Sequence, residues 1–194
     1  MSQALFPAWR PRADGRAALA TLSHRLQEAR PSDAPSLQLR RADQWHVTLC
    51  FIGHDVSRLA TPALRDAFAD AATRIPPHAF TVERLVYWRQ SGAIVALPHA
   101  CNALQALCDA TRDAIRRCGI RPDQITSQPH VTLAYLPKAL DAQPWLDGID
   151  CDAGTLQVDG FELLFNPGGV YDPLGSWSLT GGDLPEPPRQ DALF

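Results

Sequence analysis

Two short segments of the chain combine an apolar face with a polar face and carry nearly the same residues. They are residues 45–53, Trp-His-Val-Thr-Leu-Cys-Phe-Ile-Gly, and residues 129–137, Pro-His-Val-Thr-Leu-Ala-Tyr-Leu-Pro. Because successive side chains of a strand point to opposite faces, His46 shares a face with Thr48. In the same way, His130 shares a face with Thr132. The pattern therefore predicts two similar strands, each with an apolar side and a side that presents a histidine and a hydroxyl group.

Helices and further strands surround these two segments. Apolar residues recur at helical spacing in three regions. These predicted helices span residues 14–29, 61–75 and 102–118. Apolar or alternating runs predict five more strands. These strands span residues 4–9, 80–89, 93–97, 155–165 and 177–180. Pro7 suggests that the first of them lies at a sheet edge or contains a bulge.

The order of these elements repeats, because a helix precedes each of the two motif strands. This repeat predicts an α+β fold of two lobes related by a pseudo-two-fold axis. In such a fold, antiparallel sheets line a central cleft and the helices lie outside.

The repeated His-x-Thr triplet points to one shared site. With six histidines and ten threonines in 194 residues, chance predicts about 0.3 such triplets, and the chain contains two in matching surroundings. A single copy is better explained as a half-buried strand histidine, whereas the pair favours a catalytic cleft. Two imidazoles with ordinary pKa values near 6.5 can serve as proton donor and proton acceptor at neutral pH. Threonine hydroxyls can donate hydrogen bonds to phosphate oxygens without adding charge.

Composition and charge restrict the class of protein. A hydrophobic content of 45% is typical of a globular protein, and we expect one domain over residues 1–182 with a Pro-rich tail over residues 183–194. The net charge of −3 argues against a broad basic surface for long nucleic acids. No apolar run approaches the roughly 18 residues of a membrane span, and the N-terminus shows no secretory signal. Five cysteines without a CxxC spacing indicate reduced thiols, which predicts a cytoplasmic protein.

Metal chemistry and a nucleophilic serine find no support in the pattern. No third ligand stands at a zinc-binding spacing from the two histidines, and no GxSxG motif is present. We therefore expect a site without a metal and without a cofactor.

Two His-x-Thr motifs about 80–90 residues apart, in a chain of about 200, are typical of the 2H phosphoesterases, and the chain resembles that family. The segments around His46 and His130 are similar to those of its bacterial and archaeal branch. That branch comprises the RNA 2′,3′-cyclic phosphodiesterases once called 2′-5′ RNA ligases. The resemblance extends from Leu5 to about Leu179. The chain departs from it after the second motif, where Ala-Tyr-Leu at residues 134–136 replaces a common arginine.

The resemblance implies metal-independent hydrolysis of RNA or oligonucleotide 2′,3′-cyclic phosphate ends to 2′-phosphates. His46 would protonate the departing 3′-oxygen, and His130 would activate the attacking water. Thr48 and Thr132 would bind the phosphate oxygens. The residues by themselves do not distinguish the acid from the base. The implied partner is an RNA 3′-end or a small cyclic-phosphate nucleotide, and we expect a monomer that does not bind a membrane.

Other functions fit the same motifs. One is the joining of 2′,5′ ends of tRNA halves, and another is hydrolysis of a small cyclic nucleotide. A third, from a different class, is a binding module that holds a nucleotide or an RNA end without turnover. Two intact histidines favour an enzyme, because a binding module does not need two titrating groups.

Residues outside the motifs allow two interpretations. Tyr87, Trp88 and Arg89 could bind a terminal base, or they could belong to an ordinary hairpin with packed aromatic side chains. Arg40 and Arg41 could border the cleft or lie in a solvated loop.

The end of the tail also allows two interpretations. Residues Gln190 to Phe194 read Gln-Asp-Ala-Leu-Phe and resemble short peptides that bind bacterial sliding clamps. A plain tail explains the same residues.

Overall fold

The computed structural model of the chain describes residues 3–138, 140 and 142–182. Its helices are α1 (Ala13–Ala29), α2 (Pro62–Ala72), α3 (Asn102–Arg117) and α4 (Gln143–Leu146). Its first six strands are β1 (Ala4–Trp9), β2 (Gln38–Leu39), β3 (Val47–Thr48), β4 (Cys50–Phe51), β5 (Gly53–His54) and β6 (His78–Trp88). The other six are β7 (Ala93–Pro98), β8 (Gln124–Ile125), β9 (Val131–Tyr135), β10 (Thr155–Val158), β11 (Gly160–Asn166) and β12 (Asp172–Ser178). The three predicted helices are confirmed, and α4 is an additional short helix. The clamp-like residues Gln190 to Phe194 lie outside the described residues.

Two main antiparallel sheets each carry one of the motifs. Sheet 1 has the strand order β12-β11-β1-β3, and β5 also pairs with β1. Sheet 2 has the order β10-β6-β7-β9-β2, and β4 forms a separate pair with β8. The first motif enters β3 of sheet 1, and the second enters β9 of sheet 2. The predicted two-lobed α+β fold with antiparallel sheets is therefore confirmed.

The helices and the core join the two lobes. Helix α1 follows a strand of sheet 1 but packs against β10 of sheet 2, whereas α2 packs against α3 and β12. One hydrophobic core contains Leu5 and Phe161 of sheet 1 together with Leu85 and Ile94 of sheet 2. Burial of each side chain of this size contributes about 1.5–3 kcal/mol. A continuous core of this kind resists relative displacement of the two sheets.

The apolar run at residues 155–165 is two strands, so the prediction of a single strand is wrong. Strand β10 pairs with β6 in sheet 2, whereas β11 pairs with β1 in sheet 1. The chain changes sheet around Asp159. A Cβ atom on Gly160 would lie 2.6 Å from the carbonyl oxygen of Trp177, so the close approach of β11 to β12 requires glycine there.

Two other strand boundaries differ from the prediction. The first motif segment is interrupted into β3, β4 and β5, and the last strand lies at Asp172–Ser178 rather than at 177–180. Pro7 lies in a central strand, because β1 pairs with β11 on one side and with β3 and β5 on the other. The Pro7 carbonyl accepts a hydrogen bond from the Leu49 amide at 3.0 Å, where the neighbouring strand is interrupted. Proline has no N–H group to donate, and Pro7 lies beside that interruption, where no donor is needed. The predicted edge position is therefore wrong, whereas the alternative, an irregularity in the strand pairing, is present.

Several local signals act as the sequence predicts. The Thr61 hydroxyl accepts a hydrogen bond from the Leu64 amide at 3.3 Å and caps α2. Gly119 follows α3 with φ of 72°, a conformation that glycine adopts readily.

All five cysteines are free thiols. Among the described residues, no helix combines the length and the apolar character needed to cross a membrane.

Candidate active site

Each motif histidine is held by the backbone two residues before it. Nδ1 of His46 lies 2.8 Å from the carbonyl oxygen of Gln44, and Nδ1 of His130 lies 2.9 Å from that of Gln128. A carbonyl oxygen only accepts hydrogen bonds, so both Nδ1 atoms carry a proton. In the neutral rings Nε2 is then a proton acceptor, and in the charged rings it is a proton donor. The two motifs therefore present the same reactive atom in the same tautomer.

The His46 ring is enclosed by aromatic side chains of sheet 1. Its centroid lies 5.3 Å from the ring of Phe6 and 5.0 Å from the ring of Tyr171. Burial lowers the pKa of His46 to about 4, and the hydrogen bond to Gln44 opposes that shift. The charges of Arg40, His130 and Arg10 lower this pKa further. The charge of His130 contributes to this shift, so the two motif histidines lie close enough to interact electrostatically.

The His130 ring has a different aromatic neighbour. Its centroid lies 4.3 Å from the ring of Trp88 in an edge-to-face arrangement. Burial lowers the pKa of His130, and the hydrogen bond to the Gln128 carbonyl acts in the opposite direction. Both histidines are therefore neutral at pH 7 in the free protein, and each can take up a proton when an anion binds beside it.

A cavity of about 430 Å³ lies between the motif strands. Thr48 of the first motif lines it, together with His130 and Thr132 of the second. Among the described residues, neither threonine hydroxyl has a hydrogen-bond partner, so both can donate to a bound molecule. The remaining wall is partly aromatic and apolar. It includes Phe51, Trp88, Ile125 and Tyr135.

The three consecutive residues that could bind a base have different positions. Trp88 lines the cavity. Tyr87 is buried, and its hydroxyl donates a hydrogen bond to the Pro137 carbonyl at 2.8 Å. The base-binding hypothesis for Tyr87 is therefore wrong, because neighbouring side chains of β6 point to opposite faces and this one points into the core. Arg89 is exposed just after β6 and is not among the described residues that line the cavity.

Arg40 and Tyr171 are site residues that the motif search does not reveal. The Arg40 guanidinium donates a hydrogen bond to the Tyr171 hydroxyl at 2.9 Å. Its neighbour Arg41 is exposed and pairs with Asp43 at 3.0 Å, as a solvated loop residue does. Arg40 and Tyr171 lie far apart in sequence, and no local pattern connects them. The basic pair at residues 40–41 is the only sequence signal for this contact, and it does not distinguish the two arginines.

The described residues contain no group of three or more His, Cys, Asp or Glu side chains arranged to hold a metal ion.

Comparison with known proteins places these features in a family. A family model described as the 2′-5′ RNA ligase superfamily matches residues 16–168. Among curated proteins, none matches the sequence.

Solved structures share the fold. The crystal structure of E. coli LigT complexed with 3′-AMP has a TM-score of 0.68 and 22% identity, and the match covers 92% of this chain and 98% of LigT. LigT complexed with phosphate has a TM-score of 0.66 and 21% identity, covering 92% and 98%. TT0787 of Thermus thermophilus has a TM-score of 0.71 and 22% identity, covering 93% and 100%. At these identities the likeness shows a common fold.

Proposed function

Because the chain belongs to the 2′-5′ RNA ligase superfamily of 2H phosphoesterases, we propose that it hydrolyses the 2′,3′-cyclic phosphate at an RNA or oligonucleotide end to a 2′-phosphate. One observation carries the proposal. His46 and His130 are anchored through Nδ1 in the same way, the charge of His130 acts on His46, and the free hydroxyls of Thr48 and Thr132 line one cavity together with His130. Paired acid–base groups beside neutral donors suit hydrolysis of a phosphate diester, in which the attacking water loses a proton and the departing oxygen gains one.

The proposed reaction is a single in-line displacement at phosphorus. Nε2 of His130 takes a proton from water, and the water oxygen forms a new bond to phosphorus. The bond between phosphorus and the 3′-oxygen breaks, and Nε2 of His46 gives its proton to that oxygen. The products are a 2′-phosphate and a free 3′-hydroxyl. The resemblance to the family supplies this assignment of acid and base, and the geometry supplies the free Nε2 on each ring.

The protonation states follow from burial and from the charge of the substrate. Burial lowers the pKa of both rings, so the free protein near neutral pH holds them mostly neutral. A cyclic phosphate carries one negative charge, and an opposite charge nearby raises the pKa of an imidazole. Binding of the substrate therefore favours uptake of the one proton that the reaction needs.

The size and chemistry of the cavity agree with a nucleotide end. A volume of about 430 Å³ lies within the range typical of small-ligand sites. Trp88 offers an aromatic surface, and stacking on an aromatic ring is the usual way to hold an unpaired base. The fold is shared with LigT, whose structures include complexes with 3′-AMP and with phosphate, and a nucleoside with a phosphate on its ribose is also the core of the proposed substrate.

The test is incubation of the purified protein, in EDTA, with a short RNA that ends in a 2′,3′-cyclic phosphate. Separation of 2′- from 3′-phosphate products should show only the 2′-phosphate. A matched RNA with a 3′-hydroxyl end is the control and should be unchanged. Binding of the cyclic RNA without any product would overturn the hydrolytic function in favour of a binding module. A joined product formed from 2′,3′-cyclic and 5′-hydroxyl ends would favour ligation.

A further inference from the structure

Arg40 connects the two lobes at the cleft. Its backbone amide donates a hydrogen bond to the carbonyl of Leu133 at 2.7 Å, which holds it against β9 of sheet 2. Its guanidinium reaches the Tyr171 hydroxyl at 2.9 Å, in the connection between β11 and β12 of sheet 1. One side chain thus spans from the second motif strand to the surroundings of the first motif histidine.

Within the described ranges, Arg40 has no carboxylate partner, unlike two other arginines near the site. Arg41 pairs with Asp43, and Arg10 pairs with Glu162. For Arg40, the described part of the chain offers no carboxylate within ion-pair distance. Its close neighbours are instead the Tyr171 hydroxyl and the face of the Tyr135 ring, whose centroid lies 5.9 Å from the guanidinium carbon. A half-buried cation with neutral neighbours is stabilised when an anion binds beside it.

The position of Arg40 is adjacent to the reacting groups. The Tyr171 hydroxyl accepts its hydrogen bond, and the ring of Tyr171 lies 5.0 Å from the His46 ring. The Tyr135 ring under its guanidinium lines the cavity together with Thr132. The positive charge of Arg40 also reaches His46, where it lowers the pKa of the imidazole. An anion placed between His46 and Thr132 would therefore lie within the field of this guanidinium.

We propose that the Arg40 guanidinium binds a non-bridging oxygen of the substrate phosphate and is the cationic part of the anion site. A guanidinium carries five N–H donors, and the contact with Tyr171 uses one of them. The threonines supply neutral donors, which orient the phosphate, and Arg40 supplies the charge, which strengthens its binding. This role deepens the proposed function, on which the identity of the phosphate rests. Tyr171 is a positioning residue, because it holds the guanidinium toward His46.

The first test measures the binding of inorganic phosphate by calorimetry, without any turnover. Arg40→Gln removes the charge but keeps an amide that can donate to Tyr171. Because a hydrogen bond to a charged group contributes about 1.5–3 kcal/mol, Arg40→Gln should increase the Kd for phosphate about ten- to a hundredfold. Arg41→Gln is the matched control, since this neighbouring arginine is exposed and paired with Asp43, and its Kd should equal that of the wild type. Thermal unfolding of each variant shows that the comparison is made between folded proteins.

A purely structural link between the lobes makes a different prediction from an anion site. Arg40→Lys keeps the charge but loses the planar fork, and it should retain phosphate affinity within about fivefold of the wild type. Tyr171→Phe keeps the charge but removes the hydrogen bond, and it should weaken phosphate binding less than Arg40→Gln does. Equal effects of Arg40→Gln and Tyr171→Phe on unfolding, with no change in phosphate Kd, would overturn the proposal.

Kinetics separate this inference from the proposed function. With the cyclic-phosphate RNA, Arg40→Gln should raise KM about tenfold or more while kcat changes less, because the contact exists in both the ground state and the transition state. If the wild type binds phosphate through Arg40 but does not hydrolyse the RNA, the proposed function fails and the anion site stands. If the wild type hydrolyses the RNA but Arg40→Gln retains both KM and phosphate Kd, the function stands and the role of Arg40 is overturned. Absence of phosphate binding by the wild type would also overturn it.

Discussion

The indole ring of Trp88 lies edge-on against the imidazole ring of His130, with centroids 4.3 Å apart and planes inclined by 64°. Trp88 ends β6 and His130 precedes β9, and β7 lies between these strands in sheet 2. The indole therefore restricts the orientation of the histidine ring, and it also lines the cavity. One aromatic side chain thus contacts a motif histidine and also forms part of the cavity wall.

Replacement of Trp88 should weaken binding of RNA more than binding of phosphate. Loss of base–aromatic stacking is worth about 1–3 kcal/mol, so Trp88→Leu should raise KM for the cyclic-phosphate RNA about tenfold. Trp88→Phe retains a stacking surface and should lie much closer to the wild type. Steady-state kinetics on the RNA and calorimetry with inorganic phosphate measure the two effects. An equal loss for both ligands would mean that Trp88 acts only through His130.

Removal of either motif histidine should abolish most turnover without preventing binding. His46→Ala and His130→Ala should each lower kcat by about 10²- to 10⁴-fold, the range expected for loss of a general acid or base. Because the two rings act in one step, the double variant should be little worse than the more damaged single variant. Single-turnover hydrolysis and phosphate calorimetry provide the measurements.

His24→Ala is the matched control for those variants. His24 is exposed on α1 and interacts with Glu28 at 3.3 Å, away from the motifs. It should hydrolyse the cyclic-phosphate RNA at the wild-type rate. Wild-type turnover in both motif variants would contradict the two-histidine mechanism.

Activity should be greatest on the acidic side of neutrality. Burial lowers the pKa of His46 to about 4 and lowers that of His130 as well. Catalysis needs one protonated ring and one neutral ring. As the pH falls, this state forms near the lowered pKa of His130 and is lost below about 4, where His46 is also protonated. It does not matter for this profile which ring carries the proton.

The kcat/KM profile reports the free enzyme and should therefore be a bell with both midpoints below the ordinary imidazole pKa of about 6.5. A bell centred at or above about pH 7 would contradict the burial of the two rings.

The threonine hydroxyls should contribute through hydrogen bonding rather than through shape. Thr48→Val and Thr132→Val keep the branched side chain and remove the donor, and each should lower kcat/KM about ten- to a hundredfold. Thr48→Ser and Thr132→Ser keep the hydroxyl and should lose little. Kinetics on the cyclic-phosphate RNA compare the four variants. A serine variant as inactive as the valine variant would show that packing of the methyl group matters more than the hydroxyl.

The turn between β6 and β7 should be intolerant of a side chain. Gly92 has φ of +73°, and a Cβ atom there would lie 2.3 Å from the carbonyl oxygen of Leu136. Gly119 has nearly the same φ, +72°, with open space around it. Gly119→Ala should therefore cost about 1–2 kcal/mol of unfolding free energy, the strain of the conformation alone. Gly92→Ala should cost at least about 3 kcal/mol, because backbone must also move.

Urea unfolding measures this difference, and the Gly92→Ala variant should lose turnover as well, since Leu136 directly follows the strand that carries Thr132. Equal unfolding free energies for the two alanine variants would contradict the close approach of the turn to β9.

The local features of the site are predictable because they depend on nearby residues. Alternation along a strand places His46 with Thr48 and His130 with Thr132, whatever the strands pair with. The Thr61 cap and the glycine after α3 are equally local, and the structure confirms both. The repeat of helix and motif strand also indicates two similar lobes, because each copy of this unit is recognised from its own residues.

Pairings between distant segments are not predictable in this way. The apolar run at residues 155–165 gives no sign that β10 and β11 belong to different sheets, because both strands are buried wherever they pair. Periodicity separates Tyr87 from Trp88 onto two faces, but it does not say which face meets the cleft.

By itself, the sequence determined the reactive residue types, their shared faces and the family of folds, since these follow from short-range backbone geometry and from the repeated motif. Only the tertiary structure decided that the Arg40 guanidinium meets Tyr171, 131 positions away, beside His46. That contact depends on how two sheets pack around one core, which sums many weak long-range contacts that no local segment encodes.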